Sequence, residues 1–365
     1  MTYFRIYDGK QNNKATRIFF GEASGIRDYD DIKYPAMLKY SKDFFGEYWI
    51  EDEIKLAKDV EEYREKLTDR ERYVYNIITG TLNWLDSIAT DFNYALGLLC
   101  TDPSVRSCLS LIASFEQLHN RSYQYLTSTM LNQQEKEQAF TEIRQLEKLV
   151  LRNMHIITPI ERMVNVIKMK FAEDVTGVTV PEEDVMQAIF EGLVAYLNLE
   201  GLYFSAGFVY FHSLARDQKM MGSNNMITLI KTDENQHSEF NGLLLQIIMQ
   251  EYPHLNTKEN LEFALSFNKE AVRLEKEWSE YIFEGITTLS IKEYHNYVEY
   301  LSNLISRNAG LPEAFPENTE LKSRWISTYG TKKRAGTANE IVTRQDFLQT
   351  DAINYKHEGG EDFDL

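Results

Sequence analysis

Glu116 and His119 stand three residues apart in SFEQLHNRSY, and Glu234 and His237 repeat that spacing in TDENQH. On a helix turning about 100° per residue, positions three apart lie about 60° apart around the axis. Each carboxylate–imidazole pair therefore faces one way and reaches one metal ion. Two such pairs on different helices can hold two ions. Bundles that bind paired iron or manganese add one carboxylate from each of two further helices. A single Glu-x-x-His also arises as a solvated glutamate beside a surface or core histidine. Glu251 and His254 fit the pattern too, but Pro253 lies between them at a helix end, and that match reads as chance.

The remaining ligands should be lone carboxylates on apolar helices. Glu200, in AYLNLEGLYFSAGF, is one. A buried, unpaired carboxylate is costly, so it must be paired, protonated or bound to metal. Asp86, in LNWLDSIAT beside Trp84, Leu85 and Ile88, is the other. The bland alternative for Asp86 is a local salt bridge on a helix face. Asp86, Glu116, His119, Glu200, Glu234 and His237 together offer four carboxylates and two imidazoles. Four carboxylates neutralise two divalent ions, and an oxygen-rich set suits Fe or Mn better than Zn.

Such a set needs long helices to carry it. Only 7 prolines and 18 glycines punctuate 365 residues, which favours helices over many short strands. Apolar periodicity predicts helices over 52–67, 69–99, 102–130, 134–152, 157–173, 183–215, 223–250, 257–284 and 289–308. Leu193 to Phe211 is a 19-residue stretch whose clearly polar members are Asn198, Glu200 and Ser205. That length could span a bilayer, but a central carboxylate costs about 2.5–3.5 kcal/mol on insertion scales. No second span accompanies it, so the segment reads as a helix apolar all round at the centre of a large bundle.

Bulk properties exclude other classes. The net charge of -17 argues against a nucleic-acid surface, since phosphate binding wants clustered Lys and Arg. The two cysteines, Cys100 and Cys108, cannot make a disulfide framework and are expected to be buried, reduced thiols of a cytoplasmic protein. The opening MTYFRIYDGK has no apolar run, so no signal peptide is expected. From Gly330 onward the chain turns polar, Gly-bearing and aperiodic, and reads as a mobile tail over 330–365 ending in the acidic-aromatic EGGEDFDL.

The order Asp, Glu-x-x-His, Glu, Asp-Glu-x-x-His resembles the small, radical-generating subunit of class I ribonucleotide reductase, from about residue 35 to the C-terminus. The resemblance implies an all-α, ferritin-like bundle with a dimetal-carboxylate site in a four-helix core and additional helices. Residues 1–329 would form that domain, with 1–27 as an N-terminal extension. It also implies two Fe ions or two Mn ions, bridged by carboxylate and oxo or hydroxo groups. Tyr123, four residues after the first metal histidine, matches the tyrosine that holds the family's radical. It shares a helix face with Glu116 and His119. Phe204, Phe208 and Ile230 resemble the apolar residues that shield the radical. Trp49 resembles the tryptophan that relays an electron, and Asp233 the carboxylate joining it to His119. Their bland readings are core packing and an exposed charge.

The family's mechanism would have an oxygen-derived oxidant make a tyrosyl radical. The hole then passes to a separate large subunit, where ribonucleotides are reduced to deoxyribonucleotides. The tail is expected to dock that large subunit through Phe363 and Leu365, with Tyr355 as relay and Tyr329 as the alternative. A homodimer is implied and, with manganese, a flavodoxin-like activator. No membrane or nucleic-acid partner is expected. Two departures bear on subclass: no proline follows Trp49, and Thr232 stands where many relatives carry Arg. Asp86 as first ligand and Tyr at 123 favour the tyrosyl-radical subclasses. Other readings are a different di-iron oxidase or monooxygenase, and a ferritin-like iron-storage protein.

Overall fold

The computed structural model describes residues 14–22 and 25–331. Its described residues are organised as helices, with one isolated antiparallel bridge pairing Phe19 with Cys100. In chain order these are α1 Pro35–Gly46, α2 Ala57–Glu65, α3 Asp69–Leu99, α4 Pro103–Met130, α5 Gln133–Ile143, α6 Glu147–Phe171, the single turn α7 Glu173–Thr176, and α8 Glu182–Asn198. A π-helical turn, Leu199–Phe204, follows and runs into α9 Ser205–Arg216. Then come α10 Met221–Glu251, α11 Lys258–Ile282, α12 Ile291–Ala309 and α13 Arg324–Tyr329.

Local chemistry sets where the central helices begin. Thr68 caps α3: its hydroxyl accepts from the Glu71 N–H while the Glu71 carboxylate accepts the Thr68 N–H at 2.8 Å. This reciprocal box satisfies two of the N–H groups that every helix start leaves free. Asp102 caps α4 by accepting from Ser104 and Val105, and Pro103 fills the first helical position, where no N–H is needed. The start of α10 borrows its cap from α2, with Asp59 accepting from Gly222 at 3.0 Å and Ser223 at 2.6 Å. These caps fix where α3, α4 and α10 begin, and their apolar stripes decide which residues face inward.

The expected helices over 69–99, 102–130, 223–250, 257–284 and 289–308 are present with ends shifted by at most two residues. Others differ. The break expected between 152 and 157 lies at 144–146 instead, and α6 runs through Pro159 without interruption. Leu149, Ile156, Ile160, Met163 and Ile167 are buried at helical spacing along α6, one apolar stripe that holds it continuous. The stretch expected to be one helix over 52–67 is a 3₁₀ turn, Glu51–Glu53, followed by α2. Helices α1 and α13 were not predicted. The run 183–215 is helical, but the π turn divides it.

Leu193–Phe211 is buried along its length, as expected for the centre of a bundle. No helix among the described residues is long and apolar enough to cross a membrane. Cys100 and Cys108 are free and buried. The four elements that surround the core's polar centre are α3, α4, the π turn between α8 and α9, and α10.

Candidate metal centre

Each of those four elements supplies its predicted residue to one buried cluster. Asp86 comes from α3, Glu116 and His119 from α4, Glu200 from the π turn, and Glu234 and His237 from α10. All six are 0% exposed. Their ligand atoms fall into two groups, each within 4.8 Å: Asp86, Glu116, His119 and Glu234 in one, and Glu116, Glu200, Glu234 and His237 in the other. Glu116 and Glu234 belong to both. His119 Nδ1 lies 3.0 Å from Glu234 Oε1, while His237 Nδ1 lies 2.9 Å from Glu234 Oε2 and 3.1 Å from Glu116 Oε1. Glu234 thus presents one oxygen to each imidazole, the geometry of a carboxylate between two cations.

The site's polar atoms are otherwise poorly satisfied. Both oxygens of Asp86, both of Glu200, Glu116 Oε2, Glu234 Oε1 and His119 Nδ1 are buried without a hydrogen-bond partner. An unsatisfied buried polar group costs about 1–3 kcal/mol, and more when charged. A converging set of orphaned anionic oxygens and imidazole nitrogens is what a pair of divalent cations satisfies, and oxygen donors in this number fit Fe or Mn.

Without cations, protons and mutual repulsion govern the cluster. Burial first, then the Glu116 charge, pushes the Asp86 carboxyl well above the usual carboxylate range; burial and then Glu116 and Glu234 do the same to Glu200. Burial opposes charging of His119 and His237. Glu234 and Asp233 around the first, and Glu116, Glu200 and Glu234 around the second, override it and hold both imidazoles well above their ordinary value. Burial works against ionising Glu234 as well, yet the His119 charge and the close approach of Glu200, His119 and His237 hold it below the usual range.

A buried chain leads outward from the cluster. His119 Nε2 lies 3.0 Å from Asp233 Oδ2, and the same oxygen accepts from Trp49 Nε1 at 2.8 Å. The Trp49 and His119 rings are near-parallel, with centroids 6.3 Å apart. With Nε2–H given to Asp233, the Nδ1 lone pair of His119 is turned to the cluster, the usual way a carboxylate fixes a metal-binding imidazole. Trp49 and Asp233 are buried, and the three residues that the family resemblance grouped lie together.

Tyr123 is 0% exposed and its hydroxyl has no hydrogen-bond partner. Burial raises its pKa well above that of a free phenol, and Asp86, Glu234, Glu116 and Glu200 add to the effect in that order, so the phenol sits in the field of all four carboxylates. Phe204 and Phe208 are buried with parallel rings 6.2 Å apart, and Ile230 is buried on α10. Phe44 and Phe115 place ring edges against His237, at 5.6 and 5.8 Å. The third Glu-x-x-His match is structural: Glu251 accepts from Lys33 and from the Ile18 N–H, anchoring the N-terminal segment. Tyr329 is half-buried, and its carbonyl accepts from Asn224 and Thr228. Tyr355, Phe363 and Leu365 lie outside the described residues.

Two features of the site were not read from the sequence. Tyr196, one helical turn before Glu200, donates a hydrogen bond to Glu116. Its i−4 spacing from a predicted ligand was the signal that could have found it. Arg152 of α6 braces the π turn: its guanidinium lies 3.7 Å over the Tyr203 ring and donates to the Tyr203 carbonyl at 3.3 Å. Glu275 of α11 holds that guanidinium in turn, and accepts from Tyr294 of α12 at its other oxygen. No sequence pattern links those residues.

Comparison with known proteins agrees with this geometry. Residues 27–322 match the family model of the ribonucleotide reductase small chain. The chain belongs to that family. It is 29% identical to the ribonucleoside-diphosphate reductase subunit beta of Halalkalibacterium halodurans, over 89% of each chain. To the corresponding subunit of Treponema pallidum it is 27% identical, over 93% of this chain and 90% of that one. Among solved structures it resembles a ribonucleotide reductase R2 subunit from Clostridium botulinum, with TM-score 0.79 and 25% identity over 90% of this chain and 98% of that one. The fold is accordingly the ferritin-like helical bundle, and the chain serves as the small, beta subunit of a ribonucleoside-diphosphate reductase, an oxidoreductase.

Proposed function

We propose that the six-residue cluster holds two metal ions and that Tyr123 carries the oxidising equivalent the chain delivers. One observation carries this: two four-residue ligand groups share Glu116 and Glu234, with the unpartnered phenol of Tyr123 in the same buried field. When bound, two iron or two manganese ions supply the one-electron oxidising power, drawn from oxygen or an oxidant derived from it. Glu116 and Glu234 would serve both ions, with Asp86 and His119 completing one group and Glu200 and His237 the other. Tyr123 would be the residue oxidised. Phe204, Phe208 and Ile230 keep water and reductants from it. Asp233 orients His119 and holds Trp49, giving a bonded route for an electron to leave or enter.

The partner is the enzyme's large subunit, where the hole starts nucleotide reduction. The tail over 330–365 docks that subunit through Phe363 and Leu365, and Tyr355 relays the hole. The chain works as a cytoplasmic homodimer and, if loaded with manganese, with a flavodoxin-like activator. Deleting the last eight residues should then leave metal content intact and abolish turnover at low large-subunit concentration. Full turnover of the truncated chain would remove the docking role.

The central test is EPR with metal analysis after aerobic reconstitution. The wild-type chain should bind about two ions and show a tyrosine radical. Tyr123→Phe keeps ring size and should preserve packing and metal, while the stable radical and nucleotide reduction vanish. A variant with the wild-type signal and turnover would make Tyr123 a core tyrosine only.

A further inference from the structure

We propose that α11, which supplies none of the six ligands, is the positioning element for Glu200: its Asn268 and Glu275 clamp the two ends of the π turn and so set how tightly the ion completed by Glu200 and His237 is held. The inference rests on the dimetal reading above and adds to it residues outside the cluster. Asn268 and Glu275 are both buried on α11, two helical turns apart. That spacing sends both side chains from the same face of the helix. Asn198 ends α8 immediately before the π turn, and its Nδ2 donates to Asn268 Oδ1 at 2.7 Å. Asn268 is steadied in turn by donating to Ser306 Oγ of α12 at 3.0 Å. At the far end, Tyr203 is the last residue but one of the turn. Its carbonyl accepts from Arg152 Nη2 at 3.3 Å, its ring lies under the guanidinium, and Glu275 holds that guanidinium through Nε. Glu200 lies between the two holds.

A π turn needs such holds. It carries one residue more than an α-helical turn, is rare, and rotates everything after it by about 100°. Whether Glu200 faces the cluster therefore depends on both ends keeping their phase, which the turn's own backbone does not enforce. Stability does not account for the buried Arg152–Glu275 pair. Taking two charges out of water offsets much of their attraction, and apolar replacements are often neutral or stabilising. What a guanidinium adds is a rigid fork. Here that fork engages a carboxylate, a ring face and a backbone carbonyl at once. Tyr294 of α12 donates to the other oxygen of Glu275, which fixes the carboxylate's orientation. The clamp is thus built from groups chosen for direction, and both of its arms start from α11.

The alternative is that these groups only tie α6, α11 and α12 together. Anaerobic titration of metal-stripped, full-length protein with Mn(II), read by the EPR signal of the unbound ion, separates the two. Arg152→Met combined with Glu275→Gln removes both charges and keeps an acceptor for Tyr294. Asn268→Leu releases the other end, while Asn198 keeps its bond to the Val194 carbonyl. Each should weaken one of the two ions about 10–100-fold, the usual effect of losing a group that orients a metal ligand, and leave the other nearly unchanged. In a Glu200→Ala background the same changes should leave the remaining ion's affinity unaltered, because the ligand they position is gone. Equal weakening of both ions, unchanged affinities, or an effect as large in the Glu200→Ala background would overturn the proposal. If the double variant loses its helical circular dichroism, Asn268→Leu decides, since it leaves no unpaired charge. Should neither fold, Arg152→Lys decides, because it keeps a charge for Glu275 and loses the fork. Failure of the dimetal reading itself is separate: the wild-type chain would then take up no Mn(II).

Discussion

Glu116 and Glu234 belong to both ligand groups, whereas Asp86 and His119 belong to one and Glu200 and His237 to the other. Removing a shared carboxylate and removing an unshared one should therefore differ in stoichiometry. Glu234→Ala takes an oxygen from each group and should reduce bound metal from about two ions towards none. Glu200→Ala should leave the first group complete and retain about one ion. Both should keep their helical circular dichroism, because each removes one side chain from a bundle that long apolar helix faces hold together. Equal metal content in the two variants, measured by inductively coupled plasma analysis, would show that the shared geometry has no functional weight. At this scale the sequence was highly legible. Charge in an apolar run and the three-residue carboxylate–imidazole spacing are visible without a fold, and the structure brings those six side chains together. Tyr196 was less so, being one of 22 tyrosines whose hydrogen bond to Glu116 crosses between helices.

The π turn is the element that sets Glu200, and its cause is tertiary. A Cβ built on Gly201 would lie 2.1 Å from Ile305 Cγ2 and 2.8 Å from Ser238 Oγ, so the turn packs backbone against α12 and α10 where no side chain fits. From the other side Arg152 grips the Tyr203 backbone and ring. Gly201→Ala should push the turn away from α12, cost about 1–3 kcal/mol by overpacking, and weaken the ion held by Glu200 more than the other. Thermal melts and metal titration test both halves. A variant with unchanged melting temperature and metal affinity would mean the turn is not positioned by this contact. The turn could not be read from the sequence because no local propensity encodes it; it arises where α8 and α9 meet two other helices. The start of α10 is similar, since its cap comes from Asp59, 163 residues before Gly222. The break after α5 carries neither Gly nor Pro, while Pro159 sits inside α6, so the strongest local punctuation pointed to the wrong place.

At the scale of the whole molecule, the buried cluster makes metal-free and metal-loaded protein respond to pH in opposite ways. A group whose folded pKa is raised stabilises the fold fully below its unfolded pKa and loses that contribution as pH rises through the folded value. Asp86, Glu200, His119 and His237 all shift upward in the metal-free protein. Glu234 runs the other way: its contribution is present above about pH 4.3 and lost only as pH falls through its depressed value. Across the weakly acidic to weakly alkaline range, therefore, raising the pH strips stabilising protons from the metal-free core and leaves buried like charges facing one another. Metal requires those same groups deprotonated, so loading releases protons and tightens as pH rises. A ligand that binds only the folded state stabilises it in proportion to the logarithm of its occupancy ratio. The melting temperature of loaded protein should therefore exceed that of metal-free protein by a margin that widens from about pH 5.5 to about pH 8. Over the same range, removal of metal by a chelator should become slower. Differential scanning calorimetry of matched loaded and stripped samples, at constant ionic strength, measures the margin directly. A margin that stays flat or narrows with rising pH would mean that Asp86, Glu200, His119 and His237 are not the groups that exchange protons for metal.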